Sequence, residues 1–161
     1  MAGMGPEQPS HLTWPQTMPT LQNDFPDLNP QNHNPTSPVT PDYNCIAWAA
    51  EEDDRWWWPL PEGMGYWPPN VTRAETIEAF VSAFSTIGFV PCLTPANEPN
   101  VQKLVIYTLN NVPTHMARQL PDGTWTSKLG SDIDINHFTL EALHGPAYGE
   151  ATQFLSRQLA E

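Results

Sequence analysis

A change in composition after residue 42 limits what this chain can fold into. Residues 1–42 contain many of the 19 prolines, together with Asn, Gln, Ser and Thr, and they contain no Lys or Arg. Proline locks φ and lacks a backbone N–H, so this segment is a poor source of long helices or central strands. Residues 43–161 are rich in aromatic side chains and have the length of one domain. We therefore expect an N-terminal arm, disordered or docked, followed by a single domain.

The net charge of the chain limits the classes of partner that it can bind. It carries 18 acidic and 6 basic residues, a net charge of −12, which repels both nucleic-acid phosphates and anionic lipids. We find no signal peptide and no apolar run near the roughly 18 residues of a membrane span. The two cysteines, Cys45 and Cys92, are expected to be reduced in a cytoplasmic protein. We predict no nucleic-acid partner, no membrane partner, and no metal or other cofactor; the oligomeric state stays open.

Helices precede strands in the domain, an order typical of the α+β class. Hydrophobic periodicity and capping residues predict the helices, and β-branched alternation predicts the strands. The predicted elements are a helix from Asn44 or Cys45 to about Glu52, a helix between the N-cap Thr72 and Gly88, strands at 89–92 and 101–109, and a short helix near 139–143.

A hairpin follows these strands, and its register can be predicted. A Pro-Asp-Gly turn sets Leu120 opposite Thr124, in a three-residue loop with a bulge. Ala117 then lies opposite Ser127, which places Ser127 diagonal to His115 on the same face of the sheet.

Cys45 and His115 are the candidate catalytic pair. Cys45 lies where the arm ends and the first helix begins, so unpaired backbone N–H groups and the helix dipole favour its thiolate. His115 lies on a later strand, where an imidazole can act as the base for a thiol. Taken alone, each residue has an ordinary structural role, because free cysteine is among the most buried residue types.

A third group is needed to orient His115, and the candidates are Ser127 and, in the loop beyond, Asp132. Asn44 either donates to an oxyanion or caps the helix. The remaining candidate substrate-binding residues are two members of the aromatic cluster at 56–67 and one polar residue on the face of His115, namely Trp57, Trp67 and Gln119.

Five short motifs distinguish the domain. They are Asn44-Cys45-Ile46-Ala47-Trp48-Ala49, Tyr66-Trp67-Pro68, His115-x-Ala117-Arg118-Gln119, Trp125-x-Ser127-Lys128-Leu129-Gly130 and Gly145-Pro146-x-Tyr148-Gly149. These motifs resemble those of an uncharacterised family of small microbial proteins, a domain of unknown function, over about residues 43–148. At a greater distance, the order of a helix-borne cysteine and a strand-borne histidine resembles the papain-like and transglutaminase-like superfamily. That resemblance implies an α+β fold in which Cys45 and His115 face each other across a cleft.

Two functions remain open from the sequence. In the first, Cys45 attacks an amide or thioester carbonyl of a small-molecule or peptide substrate, and His115 takes the thiol proton. The acyl-cysteine then passes to water or to an amine, so peptidase, amidase and acyltransferase are alternatives. In the second, the same fold is a non-catalytic binding, adaptor or immunity module. Reactivity of the Cys45 thiol distinguishes the two.

Overall fold

A computed structural model describes residues 23–61, 64–129 and 133–159. The described elements form one antiparallel sheet with two short α-helices, which places the chain in the mixed α+β class. The strand order across the sheet is β1-β6-β5-β4-β3-β7-β2. Within these residues, no helix has the length and apolar character needed to cross a membrane. The elements in chain order are β1 (His33–Pro35), α1 (Cys45–Ala49), α2 (Ile77–Ser85), β2 (Val90–Cys92), β3 (Val101–Leu109), β4 (Val112–Gln119), β5 (Trp125–Lys128), β6 (Asp134–His137), a 3-10 turn (Glu141–Leu143) and β7 (Glu150–Gln158).

The sheet separates two hydrophobic clusters, and alternation along β3 shows which residues belong to each. Leu104 and Ile106 pack with Met116 and with both helices, on what we call the helix face. Val105 and Tyr107 pack on the opposite side, which we call the arm face. This alternation confirms the predicted strand pattern from Leu104 to Tyr107.

The first helix begins where the sequence predicts and the second does not. Asn44 caps α1, accepting from the backbone N–H of Ala47 at 3.1 Å. The predicted cap at Thr72 is wrong, because α2 begins at Ile77 and its cap is Thr76. The Thr72 carbonyl instead accepts from the indole of Trp67 at 2.9 Å. This bond, between residues five apart, occupies the Thr72 carbonyl in the segment before the helix.

The predicted hairpin register is confirmed for the two pairs next to the loop, and the ladder between β4 and β5 ends before Ala117 and Ser127. The backbone N–H of Leu120 donates to the Thr124 carbonyl at 2.7 Å, and Gln119 pairs with Trp125 across the two strands. Local turn chemistry therefore set this register correctly, since the Pro-Asp-Gly loop admits few backbone conformations.

The described part of the arm is docked on the sheet. Its strand β1 pairs antiparallel with β6, so that His33 lies opposite His137. Phe25 and Leu28 are buried in the cluster on the arm face. Two further apolar residues of the arm that could dock, Trp14 and Leu21, lie outside the described residues.

Candidate functional site

The Cys45 sulfur lies at a gap in the sheet. Strands β4 and β5 pair only at Arg118–Thr126 and Gln119–Trp125. Beyond that point, the backbone N–H groups of Met116, of Cys45 itself and of Ile46 lie close enough to the Cys45 sulfur to lower the pKa of its thiol. α1 thus delivers the thiol to a cluster of three backbone donors.

Burial outweighs these donors. It raises the pKa of the Cys45 thiol to about 11, although the three N–H groups and the nearby Lys128 ammonium act to lower that pKa. The helix start alone favours the thiolate, but the low dielectric around a buried sulfur disfavours any charge there. The thiol is therefore neutral at pH 7 in this conformation.

His115 is held by a chain of hydrogen bonds that ends on a backbone carbonyl. The Thr139 carbonyl only accepts, so the Nδ1–H of His137 donates to it at 2.8 Å. The Nε2 of a neutral His137 then accepts from the Ser127 hydroxyl at 2.8 Å. The Ser127 oxygen in turn accepts from the Nε2–H of His115 at 3.0 Å. The predicted neighbour of His115, Ser127, is thus its hydrogen-bond partner.

This chain of hydrogen bonds leaves Nδ1 as the ring nitrogen of His115 that carries a lone pair. That atom is buried, and no described residue forms a hydrogen bond with it. Burial holds the pKa of His115 well below its usual range, and the neighbouring His137 acts in the same direction. A neutral imidazole with an unpartnered Nδ1 is the form that accepts a proton from a thiol.

Aromatic rings cover His115. The ring of Tyr148 stacks on it, with centroids 4.1 Å apart and an interplanar angle of 6°. Phe25 of the arm contacts the Tyr148 ring, with centroids 4.9 Å apart. Thr114, next to His115, donates its hydroxyl to the Tyr148 carbonyl at 2.6 Å. Tyr148, together with the arm residue that packs on it, therefore forms a cover over one face of the imidazole.

The structure places Cys45 close to β4 without joining its side chain to that of His115. Cys45 packs in the helix-face cluster, whereas His115 contacts Tyr107 on the arm face. The backbone N–H of Met116, the residue that follows His115, is close enough to the Cys45 thiol to lower its pKa. The expected pair facing across a cleft is thus not present in this conformation. Two surface grooves, of about 550 and 680 Å³, are lined by neither residue.

Asn44 has the structural role rather than the oxyanion role. Its Oδ1 accepts from the N–H of Ala47 and from the N–H of Trp57, each at 3.1 Å. Its Nδ2 donates to the Trp57 carbonyl at 2.8 Å. With both ends of the amide used, Asn44 caps α1 and fastens it to the following loop.

The two tryptophans predicted as substrate-binding residues, Trp57 and Trp67, pack in the core. Trp57 is buried against Phe84, with ring centroids 5.4 Å apart. Trp67 is buried against Phe80 at 5.1 Å. The three consecutive tryptophans do not all lie in the core, since Trp56 is 38% exposed.

Of the last two predicted residues, the structure describes Gln119. Gln119 donates to the Pro95 carbonyl at 3.0 Å and borders the groove of about 550 Å³. Asp132 lies outside the described residues.

Sequence reasoning missed two contributors, His137 and Tyr148. The alternating run Ile133-Asp134-Ile135-Asn136-His137 is typical of a strand. Pairing that strand with β5 places His137 opposite Trp125, on the same face as Ser127. No local signal identifies Tyr148 as the ring that stacks on His115.

A second buried polar cluster fastens the end of the arm. The Lys128 ammonium donates to the Thr40 carbonyl at 2.7 Å and lies 5.0 Å from the centre of the Tyr43 ring. The Tyr43 hydroxyl donates to Asp134 at 2.6 Å, and the backbone N–H of Asp134 donates to Ser37 at 3.0 Å. Residues 37–43 are thereby tied to strands β5 and β6 near Cys45.

We expect Phe25→Ala to loosen the arm without unfolding the sheet. Truncating a buried phenylalanine costs about 3 kcal/mol, and most of that cost falls on the local unit that carries it. Amide hydrogen exchange at His33 and Asn34 should accelerate about 10-fold or more, because 1.4 kcal/mol corresponds to a factor of ten. The matched control is Val39→Ala, in the same arm, whose side chain is 59% exposed. Equal acceleration in β3 and β7 would contradict independent opening of the arm.

The comparisons with known proteins identify a family without a described activity. A family model described as a domain of unknown function (DUF7689) matches residues 34–156. The chain belongs to this family. No curated protein and no solved structure matches it significantly.

Proposed function

We propose that the protein is a cysteine enzyme that acts on an amide or thioester carbonyl through an acyl-Cys45 intermediate, with His115 as its general base. One observation carries the proposal. Nδ1 of His115 is buried and forms no hydrogen bond with a described residue, while the backbone N–H of the next residue, Met116, acts on the Cys45 thiol. A buried polar atom without a partner costs about 1–3 kcal/mol, and catalytic groups are a recognised reason for retaining one.

The reaction proceeds from the neutral pair. As the Cys45 sulfur attacks the carbonyl carbon, its proton passes to Nδ1 of His115 and the carbon–sulfur bond forms. The resulting imidazolium then protonates the leaving amine or thiolate as its bond to carbon breaks. Water or an acceptor amine attacks the acyl-cysteine, His115 takes the proton of that nucleophile, and the thiol is released on protonation. The backbone N–H groups of Cys45 and Ile46 are candidate donors to the oxyanion.

The arrangement of elements supports the same proposal. A cysteine at the start of a helix, packed on an antiparallel sheet whose strand carries the histidine, is the order of the papain-like and transglutaminase-like superfamily. Ser127 takes the orienting position that a carboxylate or amide often fills. A cytoplasmic setting with reduced thiols suits a cysteine nucleophile.

The described conformation is, in this proposal, the closed resting state. The side chains of Cys45 and His115 approach when the gap between β4 and β5 opens, because catalytic hydrogen bonds often tighten only in the substrate complex. Phe25 and Tyr148, which form the cover over one face of the imidazole, are the groups whose displacement admits substrate.

A binding module is the second candidate, and the state of Cys45 favours it. The thiol is buried, its pKa is raised to about 11, and neither surface groove reaches it. Buried cysteines of this kind are commonly structural. In that function Cys45 is inert, and the protein recognises a partner through its surface.

Acylation by p-nitrophenyl acetate separates the two functions. We expect wild-type protein and the Cys92→Ala control to form acetyl-Cys45, read by intact mass and peptide mapping, with a rate that saturates at high donor concentration. His115→Gln should lower that rate by about 100-fold, the usual contribution of a general base. Cys45→Ala should lose the adduct and keep its fold.

Two results would refute the enzyme and leave the binding module. In the first, Cys45 stays unmodified while the half-exposed Cys92 is acylated to completion. In the second, acylation of Cys45 occurs at the same rate in His115→Gln.

A further inference from the structure

His137 is a buried titratable residue to which the acylation chemistry assigns no step. It is completely buried on the arm face, at the end of β6. Its Nδ1 bonds the Thr139 carbonyl and its Nε2 bonds Ser127, both at 2.8 Å. Both ring nitrogens are therefore committed, which fixes its tautomer as well as its orientation.

We infer that His137 is a positioning residue that fixes, through Ser127, which nitrogen of His115 carries the proton. The inference rests on the proposed function, since it concerns the base of that reaction. It assigns His137 no contact with substrate.

A serine beside His115 cannot choose the tautomer by itself. The Ser127 hydroxyl rotates freely about its C–O bond, so it either donates to Nε2 of His115 or accepts from it. In the first case Nδ1 carries the proton, and His115 has no lone pair left for the thiol. The structure gives Ser127 a second partner that decides between these cases.

The direction of donation along these hydrogen bonds follows from the last acceptor, the Thr139 carbonyl. The Thr139 carbonyl cannot donate, so Nδ1 of His137 must, and Nε2 of a neutral His137 is left as an acceptor. The Ser127 hydroxyl, at 2.8 Å from that Nε2, therefore points toward His137 and away from His115. Ser127 is left as the acceptor for the Nε2–H of His115, and the lone pair of His115 falls on Nδ1.

The surroundings of His137 keep it neutral, as this direction requires. Its neighbours are Ser127 on β5, His33 on β1 and the Thr139 carbonyl, none of which is an anion. Burial and His33 both lower the pKa of His137. A backbone carbonyl and a serine thus replace the carboxylate that more often orients a catalytic histidine.

Histidine nitrogen NMR tests this inference directly. In protein labelled with ¹⁵N at histidine, two-bond ¹H–¹⁵N spectra at pH 7 distinguish a protonated ring nitrogen from an unprotonated one. The His115 signals are assigned by their loss in His115→Gln. We expect a single tautomer in the wild type, with the proton on Nε2. His137→Phe should convert His115 to a mixture of tautomers or to the Nδ1–H form, because the Ser127 hydroxyl is then free to donate.

The controls separate positioning from packing. His144→Gln removes a histidine that is not part of this hydrogen-bond chain and should leave the His115 tautomer unchanged. His137→Gln restores a carbonyl acceptor for Ser127 and should return His115 toward the Nε2–H form. The inference is overturned if His115 carries its proton on Nδ1 in the wild type, or if His137→Phe folds and keeps the single Nε2–H tautomer. The NMR measurements do not involve acylation. The positioning role of His137 and the proposed enzymatic function can therefore be refuted independently.

Discussion

Gly149→Ala is expected to destabilise the domain by about 3 kcal/mol or more, as a side chain forced against backbone in a strained conformation does. Gly149 has φ of +76°, where side chains are disfavoured. A Cβ there would meet the Thr108 carbonyl group and come within 2.9 Å of Leu109 Cα. Backbone on β3 cannot move aside without breaking its pairing with β7. The preceding residue, Tyr148, should then leave its place over His115.

Urea unfolding with a matched variant measures this effect. Gly123→Ala is the control, since its φ of +92° is also positive but its Cβ would meet the Asn97 side chain at 3.4 Å. We expect about 1–2 kcal/mol there, the usual cost of the left-handed region. Equal losses in the two variants would show that φ alone, and not the approach to β3, sets the cost at Gly149.

Acidification is expected to remove about 3 kcal/mol of stability through His137 alone. Burial lowers the pKa of His137 from 6.5 to about 4. Between those values the unfolded chain binds a proton that the folded protein does not, so stability falls as the pH drops from 6.5 to 4. A difference of about 2.5 units at 1.36 kcal/mol each gives the magnitude. His33 and His115, whose pKa values burial also lowers, add to the loss.

The slope of unfolding free energy against pH checks this expectation. Burial raises the pKa of Asp134, which has the opposite sign and stabilises the fold as the pH falls. The quantity that isolates one histidine is therefore the difference between wild type and His137→Gln. We expect the wild type to lose more stability than the variant between pH 7 and 4.5. Parallel curves would contradict a depressed pKa at His137.

Local sequence chemistry predicted the parts of the site that lie within one hairpin. The Pro-Asp-Gly turn set the register of β4 and β5, and that register placed Ser127 beside His115, where they bond at 3.0 Å. Asn44 was among the predicted caps because a side-chain acceptor before a helix has few other uses. Each of these inferences spans about a dozen residues, a range over which backbone geometry follows from residue type.

Two expectations differ from what the structure shows. Thr72 has the sequence of a cap, yet its carbonyl accepts from Trp67, five residues earlier, and the helix begins at Ile77. Trp57 and Trp67, predicted as substrate-binding residues, pack in the core against Phe84 and Phe80 of α2, a segment distant from both in the sequence. The position of α2 on the sheet is not encoded near either tryptophan, so no local pattern distinguishes a lining ring from a buried one.

At Cys45, too, some properties follow from the local sequence and others depend on the tertiary structure. Residue order alone places a thiol at the first turn of a helix and an imidazole on a strand, because capping and alternation are local properties. The ionisation of that thiol depends on everything that excludes water from it, and burial raises its pKa where the helix start would lower it. The protonation of His115 likewise depends on His137 from β6 and on the cover formed by Phe25 and Tyr148. Desolvation and hydrogen-bond direction are sums over neighbours in space, and those neighbours come from both ends of the chain.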